Sequence, residues 1–294
     1  MPDSLRSTPR QDAASANSFR KRFRFSWNWI TRPFFGLLLA AVAIGATWKG
    51  DVWFGLFLAI VGAAGAREWH RMFAPDDFVI PTCITAFALA AAVTVRVFPT
   101  GAPITPFLIL LAGSAVNFMI GYLRHQAPLA HAGGVVYIGL PAVSLLMLRL
   151  FPLHPLWLVV IFFLAVWATD TGALVSGNLM GGPKLAPKLS PNKTWAGFVG
   201  GIACASIACA ILASALGARV AAALVFGIAM AVAGHIGDLF ESMMKRRSGR
   251  KNSGGLIPGH GGVLDRIDSA LFAAPFAAVL VVVLRFDPLA GLQP

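Results

Sequence analysis

The feature that most constrains this chain is a succession of apolar runs, each about as long as a helix that crosses a membrane. A spanning helix needs ~20 mostly apolar residues, because the hydrocarbon core of a bilayer is about 30 Å thick. Only 12% of the 294 residues are charged and 57% are hydrophobic, whereas roughly a quarter of an average soluble domain is charged. The sequence therefore predicts an all-α, polytopic membrane protein and argues against a soluble or a disordered chain.

Proline, glycine and charged residues divide the apolar runs into about nine transmembrane helices. The predicted spans lie near Phe34–Trp48, Val52–Ala66, Phe78–Phe98, Thr105–Tyr122, Gly133–Leu150, Pro155–Asn178, Trp195–Leu216, Ala218–Phe240 and Ile267–Phe286. The first two are short, so they could be tilted, re-entrant or interfacial. We divide the chain into a basic, disordered arm at 1–32, N-terminal transmembrane helices at 33–150, and a C-terminal region at 151–294 that carries the candidate functional residues.

The basic residues are distributed unevenly over this map. The chain has 24 Lys and Arg against 12 Asp and Glu. With the N-terminal arm placed in the cytoplasm, most of the basic residues fall on the cytoplasmic side, which is the positive-inside bias. We therefore expect the arm and the polar loops 179–194 and 241–266 on the cytoplasmic face of the cell (inner) membrane. Contact with anionic lipid explains the net charge of +12 without a nucleic-acid partner.

Acidic residues are scarce, so their placement is informative. Asp238, Glu241 and Lys245 share one helix face at the cytoplasmic end of the eighth predicted span. Asp265 and Asp268 open the ninth, where the helix dipole favours carboxylates, so a helix cap is an equally good interpretation of these two. Carboxylate oxygens are the ligands that Mg²⁺ prefers, usually one or two together with substrate phosphates. The candidate metal ligands are Asp238 and Asp265 first, then Asp268, Glu241 and Asp170.

Asp170 stands about eight residues inside the sixth predicted span, roughly 12 Å from its end by helical rise. A carboxylate at that depth is costly and indicates function, with a packing pair to Ser or Thr as the alternative. The loop after it combines lysines with turn-forming residues. Lysines at a membrane surface often contact only headgroups, but these share the predicted face of the acidic cluster. The loop supplies the candidates Lys184, Lys188, Ser190, Lys193 and Thr194.

The second polar loop joins basic residues to a glycine-rich run, Pro258-Gly-His260-Gly261-Gly262. Glycines let backbone N–H groups approach an anion closely, and this run leads into a helix start, so the arrangement favours a phosphate site. The candidates from this loop and its flanks are Ser242, Lys245, Arg246, Lys251, His260, Gly261, Gly262 and Arg266. Outside both loops, Glu68 with Trp69 and Arg71 is interpreted as an interfacial anchor.

Three stretches of the C-terminal half resemble those of phosphatidate cytidylyltransferases (CDP-diacylglycerol synthases). The first runs from Ser242-Met-Met-Lys245-Arg246 through Lys251 and Pro258-Gly-His260-Gly-Gly to Asp265-Arg266-Ile-Asp268. The others are Trp167-Ala-Thr-Asp170-Thr-Gly-Ala173 and the run from Lys184 to Trp195. The resemblance is strong over 165–270 and only compositional before that.

The resemblance implies transfer of a cytidylyl group from CTP to phosphatidic acid, giving CDP-diacylglycerol and pyrophosphate. It implies Mg²⁺ as cofactor, with a second cation an option. It also implies that Lys245, Arg246, Lys251, His260 and Arg266 contact the triphosphate or the lipid phosphate. The acceptor is a phosphate monoester with a second pKa near 6, so the reaction needs no strong general base. A homodimer is left open by the sequence.

Three positions depart from the family pattern, namely Asn252, Leu174 and Ala196. Asn252 stands where an Asp is usual, which removes a carboxylate from the predicted metal or phosphate site; either activity is reduced, or that Asp serves structure. Three rival functions stay open: another membrane lipid-phosphate transferase, an anion or nucleotide transporter, and a non-catalytic scaffold. The gathering of polar residues at one face favours surface chemistry over transport.

Overall fold

The computed structural model of the protein describes residues 41–99, 101–250, 252–255 and 261–293. Within these ranges the fold is a helical bundle with one β-hairpin. The elements are α1 (41–49, as far as described), α2 (Asp51–Phe73), α3 (Val79–Val97), α4 (Thr105–Leu123), α5 (Pro128–Arg149), α6 (Pro155–Met180), β1 (Lys184–Ala186), β2 (Ser190–Thr194), α7 (Trp195–Ala215), α8 (Val220–Arg247) and α9 (Leu264–Ala278), which continues as a π-helical turn at Val279–Val283. The predicted arm at 1–32, Lys251 and His260 lie outside the described residues.

Eight of the described helices, α2 to α9, are long and apolar enough to cross a membrane. The prediction of an all-α, polytopic membrane protein is therefore confirmed. The first predicted span, Phe34–Trp48, falls partly outside the described residues, and its described part is helical. The division of the chain at residue 150 stays a prediction.

Two helices extend well beyond their predicted ends. The expectation that the second span is short was wrong, because α2 has 23 residues and continues to Phe73. Its charged residues find partners there: the guanidinium groups of Arg67 and Arg71 both lie over the Phe78 ring, and Glu68 is only 2% exposed. Likewise α8 continues past Phe240 to Arg247, so Lys245, Arg246 and Arg247, which were expected in a loop, extend the helix.

The polar segment 179–194, predicted as a loop, contains an antiparallel β-hairpin. Lys184 pairs with Thr194 and Ala186 with Ser190. The Thr194 hydroxyl then accepts a hydrogen bond from the Gly197 N–H at 3.1 Å, which caps the N-terminus of α7. The hairpin is therefore anchored at its C-terminal end, and Lys193, the residue before the cap, has a defined position.

Close packing of α6, α7 and α8 depends on glycine. A Cβ on Gly172 of α6 would lie 2.5 Å from the Cβ of Cys204 and 2.8 Å from the carbonyl oxygen of Gly200, both on α7. A Cβ on Gly227 of α8 would lie 2.7 Å from the Cα of Ser206 on α7. Small residues allow membrane helices to approach in this way. The polar ends of α6 and α8 are thereby held beside α9, which packs on both.

Candidate active site

The centre of the site is a serine hydroxyl between two carboxylates from different helices. The Oγ of Ser269 on α9 lies 3.0 Å from Oδ1 of Asp170 on α6 and 2.9 Å from Oδ1 of Asp238 on α8. A hydroxyl carries a single proton, so it can donate to only one of the two oxygens. The other oxygen meets a lone pair, an arrangement that a cation near both carboxylates would stabilise.

The hairpin contributes a cation to the same point. The Nζ of Lys193 lies 2.6 Å from Oδ2 of Asp238, and neither side chain is more than about a quarter exposed. Asp268, one turn into α9, lies close enough to Asp170, Asp238 and Glu241 to interact with all three electrostatically. Asp170 also interacts with Arg266.

A second group of charges lies along the last turns of α8. The Nζ of Lys245 is 3.0 Å from Oε2 of Glu241, which is fully buried, and 2.7 Å from Oδ1 of Asp265. The other Asp265 oxygen, Oδ2, accepts the Gly262 N–H at 2.9 Å. Asp265 thus reaches back to the backbone three residues earlier, as a helix-capping carboxylate does. The structure gives Asp238 and Asp265 different partners: Ser269 and Lys193 for the first, Lys245 and the loop backbone for the second.

Glu68 was wrongly interpreted as an interfacial anchor. Its carboxylate is buried, and its Oε2 accepts the N–H of Leu264, the first residue of α9, at 3.0 Å and the Ser253 hydroxyl at 3.4 Å. A Cβ on Gly262 would lie 2.3 Å from the same oxygen, so a larger residue here would displace the Glu68 carboxylate. Glu68 holds together the two described ends of the glycine-rich loop, although it lies on α2, far away in sequence.

A sequence signal for this role exists in hindsight. Gly62, Gly65 and Glu68 recur every third residue and therefore lie on one face of α2. A Cβ on Gly65 would lie 3.2 Å from the side chain of Leu264, so this face packs on the start of α9. Tyr137 of α5 was also missed: it interacts electrostatically with Glu241, Asp268 and Asp238, and its hydroxyl has no hydrogen-bond partner among the described residues.

The remaining candidates have more peripheral positions. Lys184 and Lys188 are exposed on the hairpin and contact no carboxylate of the described chain. Ser190 is half-buried, and Thr194 is the helix cap of α7. Other candidates are Ser242, half-buried on α8; Arg246, whose Nε donates to the Leu189 carbonyl at 3.4 Å; and Gly261, which has φ +82°.

The charges of the site leave room for a divalent cation. Five carboxylates, those of Asp170, Asp238, Glu241, Asp265 and Asp268, meet three basic side chains, those of Lys193, Lys245 and Arg266. With all five carboxylates ionised, these described residues would leave two negative charges unbalanced, and the donors are the hard oxygens that suit Mg²⁺. Over the described ranges, however, no three His, Cys, Asp or Glu side chains have the geometry of a complete metal site. A cation here would therefore need ligands from substrate or water.

An apolar cavity of about 450 Å³ adjoins the carboxylates. Its walls come from α1, α2, α5, α6 and α9 and include Phe57, Ile138 and Trp167, while Asp170 and Arg266 provide its charged lining. A space with apolar walls and a charged end matches an amphiphilic ligand, with its tail in the cavity and its head at the carboxylates.

Comparison with known proteins identifies the family. Residues 30–284 match the model of the cytidylyltransferase family. The chain belongs to the cytidylyltransferase family. It is 36% identical over 245 residues to a phosphatidate cytidylyltransferase of Brucella suis biovar 1 (strain 1330), covering 83% of this chain and 90% of that protein.

Two shorter matches to proteins of the same name agree with this family. A Haemophilus influenzae relative is 46% identical over 131 residues, or 42% of this chain and 46% of that protein. A Staphylococcus saprophyticus relative is 41% identical over 150 residues, or 50% of this chain and 56% of that protein.

Proposed function

We propose that this member of the cytidylyltransferase family is a phosphatidate cytidylyltransferase, an enzyme that converts CTP and phosphatidic acid to CDP-diacylglycerol and pyrophosphate. The observation that carries the proposal is the apolar cavity lined at its polar part by Asp170 and Arg266. A diacyl lipid can place acyl chain in this cavity and its phosphate at the charged cluster. Relatives named phosphatidate cytidylyltransferase support this choice of reaction over transport.

The chemistry is an in-line displacement at phosphorus. An oxygen of the phosphatidic acid phosphate attacks the α-phosphorus of CTP, the new P–O bond forms, and the bond between the α-phosphorus and the bridging oxygen breaks. The pyrophosphate leaves with the electron pair of that bond. The attacking oxygen is already ionised near neutral pH, so the protein is not required to remove a proton.

The residues of the chain therefore act by positioning and charge. Two polyanions repel each other, and the site brings them together by offering cations on several rigid elements: Lys193 on the hairpin, Lys245 on α8 and Arg266 on α9. Fixed charges of this kind stabilise charge that develops in the transition state without reorganisation. Each cation pairs or interacts with a carboxylate here, which holds its side chain in place.

Asp170 and Asp238 are the residues that would hold Mg²⁺, with substrate or water completing its ligands, because they share the Ser269 hydroxyl; Asp268 adjoins both. When bound, the ion would withdraw electron density from phosphate oxygens and offset charge on the leaving group. We also propose that the site faces the cytoplasm at the inner membrane, since the basic residues are concentrated on that side of the predicted topology.

The test uses the purified full chain in lipid nanodiscs that contain phosphatidic acid, supplied with Mg²⁺ and CTP labelled in the cytidine ring. We expect label to enter the organic-soluble lipid fraction, and the Asp238→Asn variant to lose this transfer. The matched control is Asp76→Asn, because Asp76 is an exposed carboxylate in the α2–α3 connection. If wild type transfers no label, or if it carries label across proteoliposomes unchanged, the proposed reaction is wrong.

A further inference from the structure

A second cavity lies beside residues 252–255, which precede the glycine-rich run. It has a volume of about 490 Å³, and its side-chain lining includes Arg67 and Arg71 of α2, Arg250, and Asn252. We call it the arginine pocket. The backbone of Ser253, Gly254 and Gly255 forms its remaining wall, together with Glu68. In contrast to the apolar cavity, the arginine pocket is suited to a small, strongly charged ligand.

The positive charges of the arginine pocket are not neutralised within the described chain. Arg67 and Arg71 are four residues apart on α2, so the like charges repel. Both guanidinium groups are kept together over one ring, with their central carbons 5.5 Å and 5.7 Å from the centroid of Phe78. Among the described residues no carboxylate lies within ion-pair distance of Arg67, Arg71 or Arg250.

Glu68 also lines the pocket, but among the described residues its single carboxylate makes no ion pair with any of the three arginines. Its Oε2 is directed at the Leu264 N–H and the Ser253 hydroxyl. An anion is therefore the ligand that this group of arginines favours. Guanidinium groups bind phosphate and carboxylate oxygens with two parallel hydrogen bonds, which makes these anions a better match than a halide. A chain of phosphates carries enough charge to meet several arginines at once.

The arginine pocket and the carboxylate cluster share a wall. The backbone N–H of Ser253 lies 3.3 Å from Oδ2 of Asp265, and Asp265 contacts Lys245. The side chain of Ser253 contacts Glu68 on the pocket side. Ser253 therefore lines the pocket and contacts the charged cluster, which places the pocket beside Asp265 and its partner Lys245.

We propose that the arginine pocket binds the β- and γ-phosphates of the nucleotide and then holds the pyrophosphate. This inference rests on the proposed function and adds residues of α2 to it. When the bond to the α-phosphorus breaks, the bridging oxygen keeps the electron pair, and the extra negative charge develops on the group that faces Arg67, Arg71 and Arg250. No proton and no further reactant is needed.

The variant that tests this proposal is Arg67→Gln combined with Arg71→Gln. We expect the inhibition constant for inorganic pyrophosphate to rise by about tenfold or more, because charge-assisted hydrogen bonds are lost. The KM for CTP should rise with it, whereas the KM for phosphatidic acid should stay within about twofold. The matched control is Arg247→Gln, which removes an exposed charge at the end of α8 outside the pocket. Equal inhibition constants for wild type and double variant would overturn the proposal.

A binding measurement separates this inference from the proposed function. Titration calorimetry with inorganic pyrophosphate alone, without CTP or phosphatidic acid, should detect binding to wild type and weaker binding to the double variant. Pyrophosphate binding that is the same in both would overturn the inference even in an active enzyme. If wild type binds pyrophosphate through these arginines but transfers no cytidylyl group, only the proposed cytidylyl transfer is overturned.

The phosphate of an anionic lipid is the other source of the same chemistry. The titration is therefore repeated in nanodiscs of phosphatidylcholine alone and of phosphatidylcholine with phosphatidylglycerol. Equal pyrophosphate affinity in the two kinds of nanodisc supports the nucleotide as the ligand of the pocket. If phosphatidylglycerol competes with pyrophosphate and the double variant abolishes this competition, the proposal is overturned. If the double variant does not fold, Arg250→Gln replaces it, since it removes one of the three positive charges that line the pocket.

Discussion

Replacement of Glu68 tests whether a residue of α2 organises the glycine-rich loop. In Glu68→Ala the Leu264 N–H loses its acceptor at 3.0 Å, and the Ser253 hydroxyl loses its partner. A hydrogen bond to a buried charged group contributes about 1.5–3 kcal/mol. Because 1.4 kcal/mol is tenfold in an equilibrium constant, protection of the Leu264 amide against hydrogen exchange should fall by about 10- to 150-fold.

Glu68→Gln provides a graded comparison. Its amide oxygen can accept the same hydrogen bond, but a neutral acceptor is about half as strong as a charged one. We therefore expect a loss of about 1 kcal/mol, or roughly fivefold in protection. Both variants should also raise the KM for CTP more than they lower kcat, since the loop borders the arginine pocket and does not contribute a reacting atom.

Hydrogen–deuterium exchange of peptides that cover residues 261–267 measures this effect. The matched control is Asp287→Asn, since the Asp287 carboxylate also accepts a backbone N–H, that of Leu289, at 2.9 Å. It should lower protection near Leu289 and leave residues 261–267 unchanged. If Glu68→Ala leaves the exchange of 261–267 as it is in wild type, the organising role of Glu68 is refuted.

Three further substitutions have distinct expected outcomes. Ser269→Ala removes the donor between two carboxylates and should lower turnover at least about tenfold, which steady-state rates measure. The melting temperature in thermal unfolding should change by no more than a few degrees. Asp265→Asn should raise the KM for CTP more than it lowers kcat, unlike Asp238→Asn, and equal kinetic profiles would contradict the separate partners of the two residues. Gly172→Val forces a side chain against α7 and should destabilise the fold by about 1–3 kcal/mol, which denaturant unfolding measures; unchanged stability would show that α6 and α7 can separate.

Much of the fold followed from the sequence, because apolar length and charge bias are local properties. The ends of α2 and α8 did not, since both helices continue through charged residues whose partners come from other segments. For Arg67 and Arg71 that partner is Phe78, and for Glu68 it is the start of α9. Local propensity contains no information on these contacts.

The candidate site, like the fold, could be predicted from the sequence only in part. Spacing alone placed Asp238, Glu241 and Lys245 on one helix face, and depth in the membrane singled out Asp170. The pairing of Asp170 with Asp238 through Ser269 depends on how α6, α8 and α9 pack, and no periodicity encodes that. The choice of Asp238 and Asp265 as first metal ligands stays a prediction. The contact of Asp265 with Lys245 depends on how α8 and α9 pack, which the spacing of residues does not encode.

The length of α2 has a consequence for how the two substrates influence each other. One face of this rigid rod borders the apolar cavity through Phe57, Leu58 and Val61, and its last turns border the arginine pocket. A tilt or rotation of α2 on filling one compartment would reshape the other and would thereby link the occupancy of the two thermodynamically. Such linkage is reciprocal. The factor by which bound lipid changes the affinity for the nucleotide must equal the factor by which bound nucleotide changes the affinity for the lipid.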